Sequence, residues 1–87
     1  MKLWLLKRIE NLPMKNDPWD PWYDTMQGFV IRAKTEMEAR QIAHECGGNE
    51  NFAMKETHPW KDKKYSTCIE LSIKGKQELV LSDFNAA

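Results

Sequence analysis

This sequence has no surplus of charge, no long apolar run and few cysteines or glycines, and each shortage excludes something. Lys and Arg number 13, as do Asp and Glu, so the formal net charge is zero. A protein that grips nucleic acid through its phosphates carries a basic excess. No apolar stretch approaches the roughly 18 residues that span a bilayer. The opening Met1-Lys2-Leu3-Trp4-Leu5-Leu6-Lys7-Arg8 is apolar only from Leu3 to Leu6. That is short of the roughly 7–15 residues of a signal-peptide core, so the segment reads as a strand. The expected location is the cytoplasm, with no membrane association.

Cys46 and Cys68, the two cysteines, form neither a C-x-x-C pair nor a disulfide framework. They read as free thiols in a reducing compartment. Gly47-Gly48 follows a helical pattern, where a phosphate-binding loop would precede one. There is no G-x-S-x-G, H-E-x-x-H or paired zinc motif, and neither a cofactor nor a metal is expected.

What remains is an ordinary globular balance, 41% hydrophobic and 30% charged. The length suits one domain, 1–87. A domain of this size buries only about 60% of the surface its unfolded chain exposes, so its core is thin.

Residues 2–9 read as a first strand, buried on much of both faces because Trp4-Leu5-Leu6 is continuous. Residues 10–25 form a long loop with Pro13, Pro18 and Pro21, of a kind often functional in small domains. Residues 26–33 read as a second strand. Gly28 marks a bulge or a close backbone approach. Thr35 and Glu38 make the T-x-x-E start of a helix over 36–46. Ala39, Ile42, Ala43 and Cys46 make its apolar stripe. Glu36 and Arg40 can pair at i, i+4. Gly47-Gly48 ends the helix through a left-handed glycine.

Residues 52–55 could form a short strand. Residues 66–73 alternate, with Ile69, Leu71 and Ile73 on one face. A turn at 74–77 and a last strand at 78–82 complete a hairpin. The rival reading makes 67–71 a single helical turn capped by Ser66. The expected fold is α+β, one helix on a mostly antiparallel sheet of four to five strands, in the order β-β-α-(β)-β-β.

Three constellations could carry chemistry. The first is Asp17-Pro18-Trp19-Asp20-Pro21-Trp22-Tyr23-Asp24. It either runs as polyproline II, with the tryptophans along one edge, or opens short turns with Asp as cap and Pro at the first position. Trp19, Trp22 and Tyr23 would anchor a protein partner, with Asp17, Asp20 and Asp24 as an acidic rim. Alternatively, at least one tryptophan folds back to complete the core. In polyproline II, Asp17 and Asp20 lie about 9 Å apart, too far for one metal ion.

The second is His58-Pro59-Trp60-Lys61-Asp62-Lys63-Lys64-Tyr65. Trp60 and Tyr65 could stack bases while Lys61, Lys63 and Lys64 meet phosphates. The plainer reading is a solvated loop that Trp60 pins to the core. The third is a thiol nucleophile at Cys68 with His58 as base, against which stands a buried structural cysteine. His44 and Cys46 lie about 200° apart on a helix and cannot chelate one ion. His44 reads as solvent-facing near the helix C-terminus, where its charged form is favoured.

Lys2-Leu3-Trp4-Leu5-Leu6, Asp17-Pro18-Trp19 through Tyr23-Asp24, Gly28 to Ala33 before Glu36-x-x-Ala39-Arg40, Ser66-Thr67-Cys68 and Asp83-Phe84-Asn85-Ala86 together resemble a family of short uncharacterised bacterial and phage proteins. That resemblance covers nearly the whole chain and implies no activity. The format is similar to that of phage-borne inhibitors, anti-CRISPR proteins among them. The expected function is non-enzymatic protein binding through 17–24. A nucleic-acid accessory role through 58–65 and a thiol enzyme are the alternatives.

Overall fold

The structure, a computed structural model, describes residues 1–20 and 24–72. Pro21, Trp22 and Tyr23 lie outside the described residues, as do Ile73, the expected turn at 74–77 and the expected strand at 78–82. The described chain runs β1 (Lys2–Arg8), β2 (Gly28–Ala33), α1 (Glu36–Glu45) and β3 (Ser66–Leu71), with 3-10 turns at Met14–Asn16 and Asn49–Phe52. The class is α+β. The described sheet has three antiparallel strands in the order β2-β1-β3, with β1 central.

Register follows from apolar alternation. Trp4 pairs with Ile31 and Glu70, and Leu6 pairs with Phe29 and Cys68. These rows face α1, and Trp4, Leu6, Ile31, Ala33, Ala39, Ala43, Trp19 and Trp60 form the core. Leu3 and Leu5 point to the opposite face and are only half-buried. β1 is therefore apolar on both faces but fully buried on one alone, because α1 covers only that side. Ser66–Leu71 is a strand, and the rival helical turn is set aside.

Thr35 caps α1 in extended conformation, its Oγ1 accepting from the Glu38 N–H at 3.2 Å. The buried stripe is Ala39, Arg40 and Ala43, whereas Ile42 and Cys46 are exposed. The helix is turned away from the expected stripe because Arg40 points inward. Its Nε meets Glu36 at 2.8 Å, and Nη1 donates to Ser66 Oγ (2.9 Å) and the Trp60 carbonyl (3.1 Å). Nη2 reaches the Ser66 carbonyl at 3.2 Å. One guanidinium thus ties α1 to the start of β3, its planar fork satisfying several acceptors at once.

The helix ends at Cys46 with φ −98°, and no left-handed glycine follows. The need for glycine at position 48 is steric. A Cβ there would lie 2.4 Å from the Asp24 carbonyl, which accepts the Asn49 N–H at 2.8 Å. Gly28 likewise marks a close approach, to the Leu6 carbonyl. The expected strand at 52–55 is instead the end of a 3-10 turn followed by bends. No helix among the described residues is long and apolar enough to cross a membrane.

Candidate functional site

The 17–20 segment forms a capped turn. Asp17 Oδ1 accepts the Trp19 N–H at 3.0 Å, and the Asp17 carbonyl accepts that of Asp20 at 3.2 Å. This is the Asp-capped geometry and not polyproline II. The turn throws Trp19 inward. Its ring is 3% exposed, and its Nε1 donates to the Met26 carbonyl at 2.7 Å. Arg8 lies over the ring at 5.3 Å and reaches Asp17 at 3.6 Å. Trp19 is therefore a core residue and not an exposed anchor, and Asp17 is engaged within the fold. Asp20 and Asp24 are exposed.

Trp60 is the centre of the core, with no exposed surface. Trp19 meets it edge-on at 5.4 Å and Phe29 at 4.8 Å. Its Nε1 donates to Glu50 Oε2 at 2.6 Å. Glu50 is itself fully buried, and it also accepts the N–H groups of Gly48 (2.9 Å) and Met26 (3.1 Å). The base-stacking role expected of Trp60 is thereby overturned, and the ring is the pin that holds 58–65 to the core. Neither Arg40 nor Glu50 stood out in the sequence as an organising residue. Only the Glu36–Arg40 spacing hinted at the first.

His58, Lys61, Lys63 and Tyr65 do come together, on one wall of an open groove of about 920 Å³ whose other wall is the N-terminal half of α1. Lys64 is exposed, and Glu36, Glu56 and Asp62 line the same groove. Carboxylates are thus interleaved with the lysines, so the groove has no anion-selective character.

His44 is half-buried, its ring edge-on to His58 at 5.3 Å. Burial, then the nearby charges of Lys61 and His58, hold it below its ordinary value against the pull of Glu45. The neutral form is favoured there, contrary to the sequence expectation. Cys68 sits on the α1 face of the sheet. Burial, then the Glu36 carboxylate, push its thiol up, with Arg40 opposing. A nucleophilic thiol needs the reverse shift. Among the described residues, no three metal-ligating side chains form a cluster.

A further surface feature among the described residues is the sheet face turned away from α1. Its central row is Val30, Leu5 and Ile69, side by side across β2, β1 and β3. The next row is Arg32, Leu3 and Leu71. Val30 is 53% exposed and Ile69 57% exposed. The sequence carried a signal for this face, since 66–73 sets Ile69 and Leu71 on one side while α1 is the one α-helix among the described residues for two apolar faces. No protein-family model, no curated protein and no solved structure matches the chain. The resemblance to short bacterial and phage proteins therefore gains no support, and function rests on geometry.

Proposed function

We propose that this chain is a non-enzymatic protein-binding module, and that its contact surface is the open face of the sheet. One observation carries the reading: Val30 and Ile69, on either side of Leu5, remain more than half exposed on a contiguous apolar face. An apolar patch of this kind on a small domain marks an interaction surface more often than chance exposure, which scatters such residues singly. The Trp19 ring, the first anchor expected from the sequence, is occupied in the core, which moves the contact surface away from it. The groove at 58–65 has mixed charge and no free tryptophan, which disfavours nucleic acid. The raised Cys68 thiol disfavours a thiol enzyme.

A dye test suits this surface. The apolar anion 1-anilinonaphthalene-8-sulfonate should fluoresce with the native protein. A Val30→Ser/Ile69→Ser double variant should retain native circular dichroism and lose most of the signal. Dye binding that persists undiminished in the folded double variant would place the contact surface elsewhere.

A further inference from the structure

The open face has a charge pattern of its own. Its described residues are Leu3, Leu5 and Lys7 of β1, Gly28, Val30 and Arg32 of β2, and Thr67, Ile69 and Leu71 of β3. Two are cations and none is an acid, although the whole chain is balanced. Glu70, the only acid of β3, lies on the other face beside Lys2, at 3.4 Å. The ion pairs among described residues use Lys2, Arg8 and Arg40 as cations, which leaves Lys7 and Arg32 unpaired.

The two cations lie in the rows that flank Val30, Leu5 and Ile69 on either side along the strands. Lys7 pairs with Gly28 and Thr67, whereas Arg32 pairs with Leu3, four residues back along β1. At about 3.3 Å per residue, that offset is roughly 13 Å along the strand.

We propose that the occupant of this face is a protein segment that is apolar along its middle and acidic at both ends of that stretch. The inference rests on the open face being the contact surface, and it adds the partner's chemistry. The spacing of about 13 Å matches carboxylates about eight to nine residues apart on a helix, at 1.5 Å per residue, or four apart on a strand. Complementary charge of this kind steers encounter and fixes register more than it adds affinity. A second copy of the chain is a poor occupant, since an isologous pairing would bring only cations to the interface. Nucleic acid is disfavoured because the middle of the face offers aliphatic groups and no aromatic ring for stacking.

The test uses two synthetic amphipathic peptides with the same leucine stripe, one flanked by glutamates and the other by lysines. Each is titrated by fluorescence anisotropy into the full chain, into Lys7→Glu/Arg32→Glu and into Val30→Ser/Ile69→Ser. Circular dichroism confirms that each variant is folded. The glutamate peptide should bind at least tenfold more tightly to the unaltered protein at low salt. Added salt should narrow the gap, and the charge-reversed variant should invert the order.

Equal binding of both peptides, abolished in Val30→Ser/Ile69→Ser, would overturn the acidic partner and leave the face standing. Binding unaffected by Val30→Ser/Ile69→Ser, or absent altogether, would overturn the face as well. So would binding of phosphatidylserine-containing vesicles with no peptide binding, which would make the occupant a lipid surface.

Discussion

Trp60 and Glu50 are both fully buried, and the indole N–H of the first meets the carboxylate of the second at 2.6 Å. The same carboxylate holds Gly48 and Met26, so one side chain joins the end of the long loop, the turn after α1 and the centre of the core. Removing the shared acceptor of a buried hydrogen-bond network leaves its donors unsatisfied. Glu50→Ala leaves three N–H donors without their acceptor and is expected to cost about 3 kcal/mol or more, at about 1–3 kcal/mol for each unsatisfied buried group. Trp60→Phe keeps a ring but leaves the carboxylate short of a donor, for about 1–3 kcal/mol. Urea unfolding followed by circular dichroism measures both, and a change within error for Glu50→Ala would contradict the network.

Ser66→Ala tests the Arg40 connection. Ser66 Oγ accepts from Arg40 and donates to the Pro59 carbonyl at 2.7 Å. Its loss leaves buried partners unsatisfied, and a destabilisation of about 1–3 kcal/mol is expected. Arg40→Lys should be similarly harmful, because an ammonium cannot reproduce the fork. A variant as stable as the parent would show that the arginine is not needed to hold β3 to α1.

Trp19→Ala distinguishes core from contact. A buried aromatic removed to Ala costs about 3–5 kcal/mol. The variant should therefore lose thermal stability, while dye binding at the open face persists in whatever fraction stays folded. Unchanged stability with lost binding would restore Trp19 as an anchor.

His44 sets a pH dependence. Its folded value lies below the ordinary 6.5, so the unfolded chain takes up a proton more readily than the folded one. Stability from this group is present above the unfolded value and is lost as pH falls from there through the folded value. Urea midpoints should drop from about pH 7 to about pH 5, and the drop should be smaller in His44→Asn. Equal slopes for the two proteins would contradict the shift.

The thiols should react in a fixed order. Cys46 is exposed, whereas Cys68 is half-buried with its thiol pushed up. Iodoacetamide should label Cys46 first, with Cys68 slower by roughly tenfold or more. Mass spectrometry of partial labelling reads the order directly, and faster labelling of Cys68 would reopen thiol chemistry.

Local signals in the sequence were enough for β1, β2, α1 and β3. A continuous apolar run marked β1, β-branched and aromatic residues marked β2, alternation marked β3, and Thr35 with Glu38 marked the helix start. The burial of Arg40 was hidden, because its acceptors at Trp60 and Ser66 are 20 and 26 residues away in sequence. With Arg40 inside, Ile42 turns outward, so the helical stripe misled by one position. Glu50 was hidden for the same reason, its partners coming from three separate segments. Phe52 read as part of a strand, yet it is exposed on a 3-10 turn. The candidate surface was half legible. Its residues alternate correctly, but the bareness of the face depends on where the single described α-helix lands.

The most direct test is whether Val30 and Ile69 meet solvent in the free chain. Methyl relaxation by a soluble gadolinium chelate measures this residue by residue. Enhancements at Val30 and Ile69 should clearly exceed those at Ile31 and Leu6, which pack against α1. Protection of Val30 and Ile69 equal to that of Ile31 would show the face already covered within the chain, and would contradict the proposed contact surface.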